Sequence, residues 1–402
     1  MIFNTYWFFI ALLPFLLIYW AVPSSIGRMV TLLIFCAIFH THFAGAAGVK
    51  PIIVLALISY GCALSRNKHL IALAITVCVL ALCFYKYLFF ISDELIGALN
   101  PELGKSFKLI FSSVLPAAPP LAISFFTFEF VHYLYEVRKG GEPIKNPLHF
   151  ALFSVFFPSL VAGPIKRYTQ FIPSLEEAVK KINWRMVTLG LVLVCVGFFK
   201  KLCLADNLTS CTEYFANKFE LITLEERWLY LVALSFRIYL DFSGYSDIAI
   251  GLARMMGITL PTNFNWPYLA LNIRDFWHRW HISLSTWIRD YVYIPLGGNR
   301  HGMLRTAFNG AFAFALCGLW HGAHWNYIAW GLYHGIGISL CLAYPKMLGS
   351  FGIKIQTFLA KYWFIKWFMT YLFVVFGWLL FFFPLPEAME KFQLLFTTGS
   401  EL

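Results

Sequence analysis

The sequence predicts an all-α, multi-pass integral membrane protein, and three observations lead there. Of 402 residues, 60% are hydrophobic and 13% are charged, where soluble domains carry about 25% charged residues. Apolar runs recur from one end to the other at about 15–25 residues, the length that crosses a hydrocarbon core of roughly 30 Å as a helix. Lys and Arg flank these runs instead of forming one patch, as positive-inside topology requires. No stretch is long and polar enough to form a separate soluble domain, so 1–402 reads as one integral membrane domain.

In order, the apolar segments are 6–22, 29–47, 51–64, 70–91, 117–135, 148–163, 186–203, 228–250, 307–320, 325–345 and 363–384. Residues 1–7 lack a basic region and no small-residue cleavage site follows, so the first run reads as a retained helix. Arg28, the pair Arg66 and Lys68, then Arg138, Lys139 and Lys145 follow the first, third and fifth segments. That places 136–147 inside and the N-terminus outside. A full crossing by 148–163 would put Lys166, Arg167, Lys180, Lys181 and Arg185 outside. Pro158, Gly163 and Pro164 point instead to a broken, re-entrant segment, with 164–185 inside; such backbone is tolerated only under protein cover or beside water. The stretch 251–306 carries Arg254, Arg274, Arg279, Arg289, Arg300 and Arg305 and no lysine, and is also placed inside. Arginine suits forked contacts to phosphate or carboxylate as well as topology.

Several composition signals carry no function. The 43 Phe, 20 Tyr and 14 Trp fill membrane cores and interfacial belts. The net charge of +11 lacks a nucleic-acid motif, so lipid is the partner it implies and nucleic acid is not. The nine cysteines are scattered without a Cys-x-x-Cys pair and read as small buried hydrophobes.

Function is sought where titratable groups meet apolar sequence. His321 and His324 lie between the runs 307–319 and 326–345, and an ionisable group at membrane depth persists where it faces a cavity, a partner or a reaction. Glu129, His132 and Glu136 share one helix face by i, i+3, i+7 spacing, with structural and functional readings both open. Arg237 and Asp241 read as helix-to-helix ion pairing. Read as one helix, 272–295 places Arg274, His278, His281, Ser285 and Arg289 on one stripe, with Trp277, Trp280 and Leu284 on another. An interfacial amphipathic helix would show the same pattern. No Gly-x-Ser-x-Gly elbow, phosphate-binding loop or His-Glu-x-x-His occurs, and His40 and His42 lack a nearby carboxylate, so no metal site is expected. A histidine acting as a base remains.

From 117 to 385 the sequence resembles the membrane-bound O-acyltransferases, and among them the bacterial group typified by the alginate O-acetyltransferase membrane subunit. The landmarks are 122–129 (AISFFTFE), 157–168 (FPSLVAGPIKRY), 199–206 (FKKLCLAD), 241–251 (DFSGYSDIAIG), 276–291 (FWHRWHISLSTWIRDY) and 318–322 (GLWHG), in that order. The resemblance implies a ring of tilted helices with re-entrant segments around a central tunnel. It also implies His321 and His281 as the catalytic pair; Trp320, Arg289 and Asp290 nearby read as scaffold more often than chemistry. The donor implied is acetyl-CoA, with no permanently bound cofactor; Arg274 and Arg289 are the expected donor-binding residues. The acceptor implied is a hydroxyl of an exported or cell-envelope polysaccharide of alginate, cellulose or peptidoglycan type. A periplasmic or extracellular SGNH-type acetyltransferase partner and a bacterial inner-membrane location follow from the same resemblance. D-alanyl transfer toward teichoic acid is the nearest alternative. A transporter or channel is the alternative from another class. His324 stands where similar enzymes often carry Asn, and the sequence ends at 402, where relatives commonly add further membrane helices.

Overall fold

The computed structural model describes residues 2–112, 115 and 119–397. Every regular element among the described residues is helical. In order, the longer helices are α1 (Tyr6–Ala21), α2 (Ser25–Ser65), α3 (Lys68–Leu82), α4 (Pro101–Ser112), α5 (Ile123–Arg138), α6 (Pro147–Val155), α7 (Tyr168–Ala178), α8 (Trp184–Phe198) and α9 (Asp206–Ala216). They continue with α10 (Leu224–Met255), α11 (Ile273–Arg279), α12 (Ile282–Ile288), α13 (Gly302–His321), α14 (Trp325–Met347), α15 (Gly349–Lys361), α16 (Trp363–Phe382) and α17 (Leu385–Leu394).

Among the described residues four helical stretches are long and apolar enough to cross a membrane: Ser25–Ser65, Lys68–Leu99, Trp184–Ala216 and Trp363–Phe382. The pair α14 and α15, bent by 119°, would supply a fifth. This is a shorter set than the sequence reading, for identifiable reasons. The segments 29–47 and 51–64 are one 41-residue helix, kinked at Gly45 (φ 66°, ψ 167°), a conformation glycine takes without a Cβ clash. The 228–250 segment lies in the 32-residue α10, whose middle holds Arg237, Asp241 and Asp247. The 117–135 segment begins on undescribed residues, and its described part forms α5. The 148–163 segment breaks after the nine residues of α6, far short of the roughly 20 that a crossing needs.

The chain divides into two compact units. The first comprises Met1–Val196 and Ser246–Pro261. Within it Asn146 caps α6 by accepting from Leu148 N at 2.9 Å, with Pro147 at the first helical position, where a missing N–H costs nothing. Glu129 on α5 and Lys166 in the 164–168 segment form a buried ion pair, their side chains 5% and 2% exposed. Lys166 Nζ also lies 5.1 Å from the centroid of Phe153. His132 is buried beside them, its Nδ1 3.2 Å from Phe128 O. Of the two readings left open for the 129–136 face, the contacts at Glu129 are those of an anchor for the broken segment.

The second unit comprises Gly197–Tyr245 and Thr262–Leu402. Its core is an aromatic cluster of Trp277, Trp280, Trp330, Trp378, Phe276 and Tyr230 with Leu234, Val374 and Leu379. Arg227, 1% exposed, donates to Phe219 O at 3.0 Å and Leu394 O at 2.7 Å, so the buried charge holds the C-terminal end of α17. Lys201 bridges Asp241 (2.5 Å) and Asp206 (2.7 Å), while Arg237 donates to Thr212 Oγ1 at 2.9 Å. Arg237 and Asp241 therefore pair with residues outside α10, in keeping with the reading of helix-to-helix pairing.

Candidate active site

The second unit builds its site on the hairpin of α13 and α14. The two backbones approach closely because glycines face each other: a Cβ on Gly331 would run into Phe314 O, and one on Gly335 would lie 2.8 Å from Ala311 Cα. No other residue permits such an approach without moving the hairpin. His321 ends α13, and Gly322 leaves the helix in an extended conformation. The His321 ring is half-buried and edge-on to Trp330 at 5.3 Å, to Phe381 at 5.1 Å and to Trp320 at 4.7 Å. His324, by contrast, is exposed at the start of α14.

The 272–295 segment is not one helix. Trp280 is extended (φ −103°, ψ 128°) and His281 is left-handed (φ 42°, ψ 54°), so α11 stops and α12 restarts. For a non-glycine residue the left-handed conformation costs about 1–2 kcal/mol, and such residues cluster at functional sites. His281 is 1% exposed, with Phe242 at 4.7 Å and Trp320 at 6.1 Å. Neither ring nitrogen has a hydrogen-bond partner among the described residues. Burial, and then the neighbouring His321, push its pKa well below the ordinary 6.5. A neutral imidazole here keeps one N–H to give and one lone pair to accept.

Arg274, His278, Ser285 and Arg289 do come together, as the sequence stripe predicts, although the helix between them is broken. They line a cavity of about 530 Å³. Its other walls come from α13, through Thr306, Gly310, Ala313, Phe314 and Cys317, and from α14, through Gly335, Ile338, Ser339 and Leu342. Thr306 to Cys317 spans about 16 Å at 1.5 Å per residue, and four residues further on the same face stands His321. The cavity is graded. Among its lining residues Arg274, His278 and Arg289 are exposed while Ala313 and Cys317 are buried. Arg289 donates from Nε to Asp290 Oδ1 at 2.7 Å, which raises its pKa above the usual guanidinium value. The arrangement offers a largely apolar cavity with a cationic rim, and its lining residue Cys317 stands one helical turn before His321.

His281 does not line that cavity; it lies with Trp320 and His321 beyond it. Sequence reasoning missed Cys317, which the i−4 spacing from His321 could have flagged, and Asn263, whose contact with Ser283 (2.6 Å) no local pattern announces. His334 was also missed. It is fully buried, accepts from Trp277 Nε1 at 3.3 Å and packs in the aromatic core.

Residues 33–385 match the membrane-bound O-acyltransferase family. The chain is 37% identical over 305 residues to a peptidoglycan O-acetyltransferase of Helicobacter pylori, covering 69% of this chain and 57% of that protein. It is 33% identical over 416 residues to a probable alginate O-acetylase, AlgI, of Pseudomonas aeruginosa, covering 100% of this chain and 76% of the relative. A teichoic acid D-alanyltransferase of Bacillus subtilis is 35% identical over 228 residues, covering 54% of this chain and 57% of its own length. The chain thus spans less than two thirds of the peptidoglycan and teichoic acid relatives.

Proposed function

The chain belongs to the membrane-bound O-acyltransferase family, and we propose that it transfers an acetyl group from acetyl-CoA toward a hydroxyl of an exported or cell-envelope polysaccharide, in the plasma membrane of a bacterium. The observation that carries this reading is the cavity along α13. Its cationic rim suits the phosphates of a nucleotide thioester, its largely apolar lining suits the arm, and its lining residue Cys317 stands one helical turn before His321.

In this mechanism neutral His321 takes the proton from the acceptor hydroxyl as that oxygen attacks the thioester carbonyl. The neutral imidazole of His281 donates a hydrogen bond to the carbonyl oxygen as negative charge develops there. Collapse of the tetrahedral intermediate breaks the carbon–sulfur bond, and the leaving thiolate takes the proton held by His321. An ester and a free thiol result, and both histidines return to neutrality. No group outside these is needed for balance.

Relatives named for peptidoglycan, alginate and teichoic acid support a polymer hydroxyl as the final acceptor. A partner of SGNH-hydrolase type receiving the acetyl group before the polymer completes the proposal. The teichoic acid relative keeps D-alanyl transfer from a carrier protein as the second reading. The deciding experiment supplies acetyl-labelled acetyl-CoA to one face of proteoliposomes holding the full chain and a soluble hydroxyl acceptor. Label in ester linkage, absent with His321→Ala, is the expected result. Uptake of an unmodified solute with no ester formed would replace the reading with a transporter.

A further inference from the structure

We propose that Asn263 and Ser283 are positioning residues for His281, and that they act by holding the main chain in a break the sequence would otherwise close. The inference rests on His281 taking part in acyl transfer as described above.

Histidines that do chemistry are ordinarily oriented through their second ring nitrogen, by a hydrogen bond to a carboxylate or carbonyl. His281 has no such partner at either nitrogen among the described residues, although its ring is 1% exposed. Ring contacts from Phe242 and Trp320 confine the imidazole but do not choose its direction. The backbone does.

The residues on both sides of Trp280 and His281 are tied to one non-helical piece of chain, 263–265. Ile282 N donates to Asn263 O at 2.9 Å, and Asn265 N donates to Arg279 O at 2.9 Å. Ser283 donates twice to the Asn263 side-chain oxygen, from its backbone N at 3.3 Å and from Oγ at 2.6 Å. Asn263 and Ser283 are 1% and 7% exposed, so these bonds form away from competing water and are costly to leave unmade.

The periodicity of 272–295 favours a continuous helix, in which position 281 would join the stripe of Arg274, His278 and Ser285 facing the cavity. The ties to 263–265 replace that helix with an extended Trp280 and a left-handed His281. They turn the imidazole off the donor stripe and toward Trp320 and His321. Without the side-chain clamp at Asn263 only the two main-chain ties still oppose the right-handed conformation at 281, and the imidazole is held less firmly toward the reacting carbonyl.

The test uses the full chain in lipid, with labelled acetyl-CoA as donor and thermal unfolding measured in parallel. Asn263→Ala is expected to lower kcat roughly 10–100-fold, the scale of an ångström-sized misplacement, with little change in KM for acetyl-CoA. Ser283→Ala should show a smaller loss of the same kind, restored by Ser283→Thr, which keeps the hydroxyl. In a His281→Ala background Asn263→Ala should cost nothing further, because groups that act as a unit are not additive. Losses that multiply in the double variant, or that vanish once rates are expressed per folded molecule, overturn the proposal. If Asn263→Ala does not fold, the Ser283→Ala and Ser283→Thr pair decides alone. If His281→Ala itself works at the original rate, the catalytic reading fails first and the positioning role falls with it.

Discussion

Each unit buries several titratable groups, and a pair in the first and a histidine in the second are treated in opposite ways. In the first unit the carboxylate of Glu129 meets the ammonium of Lys166, and aromatic rings pack around the cation. In the second, His281 is just as buried but both of its nitrogens lack a hydrogen-bond partner among the described residues. A satisfied buried charge fixes a fold, whereas an unsatisfied buried imidazole costs stability and is retained where something else must be bound. The contrast fits a structural role for the first pair and the role proposed above for His281.

The largest effect should come from the proposed general base at the end of α13. His321→Ala is expected to insert and fold but to lose acetyl transfer by roughly 10²–10⁴-fold, the usual contribution of a general base. Rates at matched protein levels check this. Near-normal transfer would move the chemistry away from the second unit's histidines and dissolve the comparison.

The first unit should respond in stability instead. Lys166→Met leaves a buried carboxylate alone and should cost about 3–5 kcal/mol, while adding Glu129→Leu should recover most of that loss. Activity per folded molecule should stay constant through the series. A Lys166→Met protein that melts normally yet has no activity would place the ion pair in the reaction, and the division between units would be wrong.

How much of this was written in the sequence follows from the range over which each feature is encoded. Apolar runs and the Arg274, His278, Ser285, Arg289 stripe are local patterns, and the stripe survives in the cavity wall even though the helix carrying it does not. His321 was legible because a histidine flanked by two apolar runs is costly. The break at His281 was not legible, because its cause lies in contacts with Asn263, far along the chain, and the local period argues for the opposite. Lys166 pairs with Glu129 across 37 residues, and that choice of partner likewise has no local trace. The segments 29–47 and 51–64, separated in sequence only by Gly48, Val49 and Lys50, run on as one helix, and its bend falls instead at Gly45, where a single glycine barely changes an average.

A smaller effect concerns the cavity rim. Arg289 has a side chain 54% exposed, and exposed ion pairs are worth about 0.2–1 kcal/mol. Arg289→Gln should therefore raise KM for acetyl-CoA by roughly two- to fivefold and leave kcat nearly unchanged, with the difference shrinking as salt is added. Arg274→Gln should behave alike. Unchanged donor dependence in both variants would leave the cavity without its cationic role, and the second unit's polar features would reduce to topology.

The smallest effect is a pH slope, and it tests the unsatisfied imidazole directly. Burial holds the folded pKa of His281 well below 6.5, while the unfolded chain titrates near the ordinary value of about 6.5. Above that pH both states are neutral at this position and His281 adds no slope. As pH falls below about 6.5 the unfolded state takes up a proton that the folded state refuses, so stability declines by up to about 1.4 kcal/mol per pH unit until the folded pKa is reached. Other buried histidines contribute to the total, so the informative quantity is the difference between the original chain and His281→Gln in the same lipid. The variant should lose less stability on acidification. Equal slopes would mean that the folded protein satisfies a His281 cation as readily as water does, and the imidazole would then belong with Glu129 and Lys166 among the charges the fold accommodates.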